Sequence, residues 1–321
     1  MDHGNQPTEK EMLVNLMDRF LRMQERESRW KRIKFVLIGL FIVAPLIAYA
    51  IMFNSVVGSS SNEVDLKGGY ASMVRVEGMI SPDTEWSARR VSKHLFDAFA
   101  DEDAKGVVIL LNSPGGTPVQ SGLINDRIAY LKEKYGKNVI CVGQDMVTSG
   151  AYMIASACEK IYVNRSTIIG SIGVIMKNYG FNEIANKLGV ESRVYTAGQF
   201  KNRFDSSKPE LPADIEKADQ MLGKLHKQFI DVVVAGRGGA LKADSSVLFS
   251  GDFWTGEEAI ELGLADGLMD VNEAVEKHFG VTNVKDFTNR SPIAQLIQQM
   301  RGGATAAMDA LFANRTEFWY Q

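Results

Sequence analysis

Nineteen consecutive residues, Phe35 to Phe53 (FVLIGLFIVAPLIAYAIMF), carry no charge. A helix of that length rises about 28 Å, close to the ~30 Å hydrocarbon core of a bilayer. A helix apolar all round is buried either in a large core or in a bilayer, and nineteen residues without a polar stripe favour the bilayer. Pro45 fits, because spanning helices tolerate proline. Arg26, Arg29, Lys31, Arg32 and Lys34 precede the run, and a basic flank stays on the cytoplasmic side. Ala48-Tyr49-Ala50 has the small-x-small form of a cleavage site, but the leader before the run is much longer than the n-region of a signal peptide. The expectation is an uncleaved, single-pass signal anchor at 35–53 in the inner (cytoplasmic) membrane. Residues 1–34 would be cytoplasmic and everything from 54 onward periplasmic or otherwise extracytoplasmic.

Within the leader, Met12, Leu13, Leu16, Met17, Phe20 and Leu21 repeat at helical spacing, as on an amphipathic helix able to lie on the bilayer or pair with a copy of itself. Residues 54–69, with Gly58-Ser59-Ser60-Ser61 and Gly68-Gly69, read as a flexible tether. From Tyr70 strands alternate with helices. Strands fit Tyr70–Val76, Gly106–Leu111, Val139–Val142, Ile161–Val163 and Ser192–Tyr195. Helices fit Glu85–Ala100, Val119–Lys134, Gly150–Ala157 and Pro212–Val234. This alternation predicts a layered α/β domain with a mostly parallel sheet over residues 70–280. Residues 281–321 are expected to form a helical tail that ends in Phe318-Trp319-Tyr320.

Charge and cysteine content exclude several classes. Residues 1–34 hold 8 Lys/Arg and 6 Asp/Glu, leaving 28 and 33 in the remainder, a net of −5 there and −3 for the whole chain. Such a chain is not built to coat nucleic acid. Cys141 and Cys158 are too few for a disulfide framework and match no metal spacing; they read as two buried thiols, with an oxidised pair open in that compartment. No Cys/His cluster and no P-loop lysine is present, so neither metal nor cofactor is expected.

Three loops follow strands, where α/β folds place ligands. In Asn112-Ser113-Pro114-Gly115-Gly116 the proline stiffens the turn, and the paired glycines let backbone N–H groups approach a bound atom. This suits an oxyanion hole built on Gly115 or Gly116. In Gln144-Asp145-Met146-Val147-Thr148-Ser149-Gly150-Ala151-Tyr152, Ser149 stands between a strand and a helix start, where developing negative charge is favoured. The third loop is Gly170-Ser171-Ile172-Gly173-Val174. None of the four histidines, His3, His94, His226 and His278, lies in a glycine-bearing loop, and no G-x-S-x-G elbow occurs. A lysine base is the alternative, and Lys201 follows the strand expected at Ser192–Tyr195.

Taken in order, these segments resemble the signal peptide peptidase A group, the membrane-bound serine peptidases of the S49 type. The matching stretches are Asn112–Gly116, Met146–Ala155, Gly170–Val174, Gly198-Gln199-Phe200-Lys201, and Trp254–Ala259 with Gly263–Gly267, so the resemblance covers about 70–280. The lysine segment departs from the family pattern at Gln199, Phe200 and Asn202. The resemblance implies a Clp-protease/crotonase-like fold and an acyl-enzyme mechanism. Ser149 would be the nucleophile, Lys201 its base, Ser171 the group that orients the lysine amine, and Gly116 and Gly150 the oxyanion donors. A free lysine, with pKa ~10.4, is almost wholly charged at neutral pH, so any lysine base must be desolvated. Tandem members of the family take serine and lysine from different halves of one chain. This chain has one such half, which implies a ring-shaped homo-oligomer with the dyad shared between subunits. The expected substrates are apolar peptides near the bilayer, such as cleaved signal peptides. Two other readings stay open: a non-catalytic membrane-anchored scaffold of the same fold, and a crotonase-type enzyme acting on acyl-coenzyme A.

Overall fold

The computed structural model of the chain describes residues 68–288, with six isolated positions between Lys34 and Ile47. Apart from those positions, the expected leader and anchor, most of the tether, and the tail from 289 lie outside the described residues. Among the described residues no helix is long and apolar enough to cross a membrane.

The fold is a mixed α/β sheet with mostly parallel strands. Strands β1 (Tyr70–Glu77), β2 (Ala104–Ser113) and β3 (Val139–Thr148) are joined by helices α1 (Ala88–Ala100) and α2 (Pro118–Tyr135) and pair in parallel. The apolar run of β2 follows from burial on both faces. Val107, Ile109 and Leu111 enter the main core with α1 and α2, while Val108 and Leu110 enter a second core. That second core is roofed by Ala274 and Val275 of helix α8 (Val271–Phe279). Each fully buried aliphatic side chain is worth ~1.5–3 kcal/mol over exposure, so a strand buried on both faces fixes the centre of the sheet.

Strand β3 extends six residues beyond the segment expected from sequence and serves two partners in turn. Ile140–Val142 pair with β4 (Lys160–Val163), and Met146–Thr148 pair with β5 (Ile168–Gly170). The sheet therefore forks at β3. One branch continues from β4 to β7 (Gly267–Leu268), the other from β5 to β6 (Phe253–Thr255), the only antiparallel pairing among the described strands. The extra length of β3 delivers the next residue, Ser149, to the fork.

Two further departures concern the ends of the expected domain and its middle. Strand β8 (Asn283–Asp286) pairs in parallel with β1, so the sheet runs past residue 280, where a helical tail was expected to begin. Lys285 pins β8 by an ion pair to Asp101 at 2.8 Å. The strand expected at Ser192–Tyr195 does not form. These residues lie exposed in an arm, about 175–211, whose single short helix α4 (Asn182–Lys187) has no buried residue. Among the described residues no strand edge pairs with Ser192–Tyr195.

Beyond the arm, α5 (Pro212–Arg237) re-enters the core through Phe229 and Val233. It is followed by α6 (Ser245–Leu248) and by α7 (Gly256–Leu262), which opens with a capping box between Thr255 and Glu258. An Arg237–Asp266 ion pair at 2.6 Å joins α5 to the turn after α7. Burial alone would raise the Asp266 carboxyl, but the Ile161 N–H and the Arg237 guanidinium outweigh it and hold the group below its ordinary range. Cys141 on β3 and Cys158, read from sequence as thiols, form a disulfide with Cα atoms 5.7 Å apart.

Candidate active site

Ser149 is the pivot between β3 and the six-residue helix α3 (Gly150–Ala155). Its backbone has φ 53° and ψ −123°, a region that side-chain-bearing residues enter only when the surroundings impose it. The imposition is visible. Its N–H donates to the Gly170 carbonyl at 2.8 Å, and its carbonyl accepts the first helical bond from Met153 at 3.1 Å. A strained strand-to-helix turn of this kind presents a serine hydroxyl at the sheet edge, without the G-x-S-x-G signature in the sequence.

The first glycine loop packs against this turn. Asn112 bridges the two, donating to Asp145 at 3.0 Å and accepting from the Met146 N–H at 3.2 Å. Space between the loops is minimal: a Cβ on Gly115, at φ +97°, would lie 2.7 Å from the Gly150 nitrogen. One on Gly116 would lie 1.8 Å from the Ile80 carbonyl oxygen. The two glycines differ in their hydrogen bonding. Gly115, expected among the oxyanion donors, commits its N–H to Ser113 Oγ at 3.1 Å and its carbonyl to the Ile80 N–H at 2.9 Å. The Gly116 N–H has no acceptor among the described residues, and neither has that of Gly150, which opens α3.

Ser149, Gly116, Gly150 and Ser171 line one cleft of about 510 Å³. Ser171 is also at positive φ, 52°, with its N–H on the Asp252 carbonyl at 2.7 Å. Met153, Leu225 and Phe229 give the cleft an apolar wall. Behind it Tyr152 is fully buried, its hydroxyl donating to the Leu264 carbonyl at 2.9 Å and raised by that burial well above the ordinary phenol range. Lys201 is absent from the lining. It sits exposed on the arm, in a turn closed by its own N–H on the Gly198 carbonyl at 3.1 Å. The structure thus gathers four of the expected residues, diverts Gly115 to a loop contact, and leaves Lys201 outside the cleft of its own chain.

No carboxylate, lysine or arginine lines the cleft among the described residues; the one titratable side chain there is His226. It stands on α5, with Nε2 3.0 Å from the Ile172 carbonyl oxygen. Its place on a helix, outside any glycine-bearing loop, hides it in the sequence. The available signal was helical spacing, since His226 shares a stripe with Phe229 and Val233, both buried. Among the described residues no cluster of His, Cys, Asp and Glu could hold a metal ion.

A model of peptidase family S49 matches residues 132–285. A candidate protease of Synechocystis is 30% identical over 195 residues, spanning 61% of this chain and 68% of its own. The chain belongs to peptidase family S49. A Brucella abortus protein named as a Na(+)/H(+) antiporter is 47% identical over 183 residues, 57% of this chain and 25% of that one, so the chain spans about a quarter of that relative's length. Among solved structures, a membrane-bound stomatin-specific protease superposes with a TM-score of 0.43 at 16% identity, covering 70% of this chain and 98% of its own. The family match takes in Ser149, Ser171, Lys201 and His226 and stops short of the Asn112–Gly116 loop.

Proposed function

We propose that the chain is a membrane-anchored serine endopeptidase of the Clp-protease/crotonase-like fold, working through a Ser149–Lys201 dyad shared between subunits. The observation that carries the reading is the cleft. A serine in a strained turn shares the cleft with Gly116 and Gly150, whose N–H groups have no acceptor among the described residues. That arrangement suits a carbonyl whose oxygen becomes negative as Ser149 attacks.

In the proposed reaction Ser149 Oγ adds to the peptide carbonyl carbon while its proton passes to the neutral lysine amine. The oxyanion rests on Gly116 and Gly150. Collapse of the intermediate expels the amine product, which takes the proton from the lysine, and leaves an ester on Ser149. Water, deprotonated by the same lysine, then hydrolyses the ester. Ser171 would direct the lysine amine.

The position of the arm supports a base supplied in trans. Ile175 and Tyr195 are 90% and 91% exposed, and apolar surface of this kind marks an interface. Docking the arm on a neighbour would desolvate its lysine, as a lysine base requires. Two features support an extracytoplasmic domain: the uncharged run at 35–53 and the Cys141–Cys158 disulfide, a bond that persists in oxidising compartments. The apolar wall of Met153, Leu225 and Phe229 favours apolar peptides, including cleaved signal peptides, presented near the bilayer.

The test is cleavage of a fluorogenic apolar peptide by detergent-purified full-length protein. Ser149→Ala and Lys201→Ala should each abolish turnover with assembly intact. Undiminished cleavage by Ser149→Ala would reject the reading.

A further inference from the structure

Ser171 holds a positive-φ backbone that must be imposed by its surroundings. The Gly170 carbonyl accepts from the Ser149 N–H at 2.8 Å, the Ser171 N–H donates to the Asp252 carbonyl at 2.7 Å, and the Gly173 N–H donates to the Ser171 carbonyl at 2.9 Å. These are all backbone bonds, insensitive to side-chain identity. The fourth is from a side chain: His226 Nε2 to the Ile172 carbonyl at 3.0 Å. A carbonyl only accepts, so Nε2 carries the hydrogen and the imidazole is fixed as a donor there. Ile172 itself is buried, so its carbonyl has little access to water as a replacement.

The post that carries His226 is stiff. Three and seven residues on, Phe229 and Val233 are in the core, and at Gly236 the helix approaches α3 so closely that a Cβ would lie 1.9 Å from the Ser156 carbonyl oxygen. The same helix α3 begins at the pivot Ser149. One rigid helix therefore touches both the element that presents Ser149 and, through one imidazole, the loop that presents Ser171.

We propose that His226 is a positioning residue: its Nε2–H clamps the Ile172 carbonyl and thereby sets the Ser171 hydroxyl against Ser149. The inference rests on the peptidase reading of Ser149 and adds to it a group outside the dyad. It assigns the imidazole no proton transfer, since the nitrogen that faces the loop already bears its hydrogen. Removing the clamp lets the loop relax by a fraction of an ångström. Substrate still enters, but the reacting groups are misaligned, and a misplacement of ~1 Å costs about a hundredfold in rate.

The experiment compares His226→Ala and His226→Gln in the full-length detergent-purified protein, by steady-state cleavage of a fluorogenic apolar peptide and by fluorophosphonate labelling of Ser149. A glutamine Nε2 can donate to the same carbonyl but cannot serve as a base. The expected result is a fall in kcat of about ten- to a hundredfold in His226→Ala with KM nearly unchanged, slower labelling, and recovery to within a few-fold of wild type in His226→Gln. If His226→Ala fails to fold, His226→Leu takes its place in the comparison. Equal loss in the glutamine variant would make the imidazole a chemical participant and overturn the inference, as would wild-type kcat in His226→Ala or an effect confined to KM. A wild-type protein that neither cleaves nor is labelled would fail at the peptidase reading instead, and take the inference down with it.

Discussion

Two inactive variants should restore each other. Lys201 is exposed on the arm and absent from the cleft that holds Ser149, so each site in the proposed ring draws its serine from one subunit and its lysine from the next. Co-expression of Ser149→Ala with Lys201→Ala in equal amounts gives random rings. A site is complete when its serine donor is the Lys201→Ala chain and its lysine donor is the Ser149→Ala chain. Each condition is met half the time, so about a quarter of sites are complete whatever the number of subunits in a closed heterologous ring. The assay is kcat/KM of the co-purified oligomer against a fluorogenic apolar peptide, normalised to total protein. A companion mixture sharpens it. Wild type co-expressed with a chain carrying both substitutions leaves about a quarter of sites complete if the dyad is shared, and about half if each chain serves itself. Activity in the first mixture no greater than the sum of its two parents, together with about half in the second, would refute the shared dyad.

Three further outcomes follow from the geometry. Gly116→Ala forces a Cβ to 1.8 Å from the Ile80 carbonyl oxygen, backbone against backbone; kcat should fall by about 10²–10³ as an oxyanion donor is displaced, with about 1–3 kcal/mol of lost stability, and wild-type kcat would remove Gly116 from the oxyanion site. Asp266→Asn strands Arg237, whose side chain is 3% exposed, and should cost about 3–5 kcal/mol, or a melting point lower by roughly 6–20 °C. Because the folded-state pKa of Asp266 is depressed, that advantage of wild type is complete above the unfolded value of about 3.9 and shrinks as pH falls further through the folded value; a gap unchanged down to pH ~2 would contradict it. Reducing the Cys141–Cys158 bond, which closes a loop of sequence separation 17, should lower stability by about 3 kcal/mol and the melting point by roughly 6–12 °C, whereas two titratable thiols in protein purified without reductant would show that the bond does not form.

What the sequence reveals depends on whether the decisive neighbour is local. GVVILL in β2 is legible because burial on both faces leaves no polar position, and Ser149 because a strand end, a small residue and a helix start adjoin it. The choice between Gly115 and Gly116 is not legible: it turns on which N–H the Ser113 hydroxyl engages once the loop is folded. The fork at β3 is hidden because one strand serves two partners from later in the chain. Residues 283–286 read as tail because four residues ending in Lys-Asp carry no apolar alternation, yet they complete the sheet edge beside β1. A separation of seventeen residues between cysteines says nothing of distance until β3 and the exit of α3 are packed together. His226 is hidden because it reaches the cleft from a helix rather than from a glycine-bearing loop.

Ser192–Tyr195 is the instructive case, since its pattern is that of a strand and yet no strand forms. Val194 and Tyr195 lie exposed, and among the described residues no strand edge pairs with them. Lys201 follows a few residues later in the same arm. In the proposed ring, one docking event would satisfy the arm's apolar surface and bring a desolvated amine to Ser149. Activity then appears only where a neighbour covers the arm. The isolated chain would hold its nucleophile and oxyanion donors in place and still leave peptides intact, because the proton acceptor points into water.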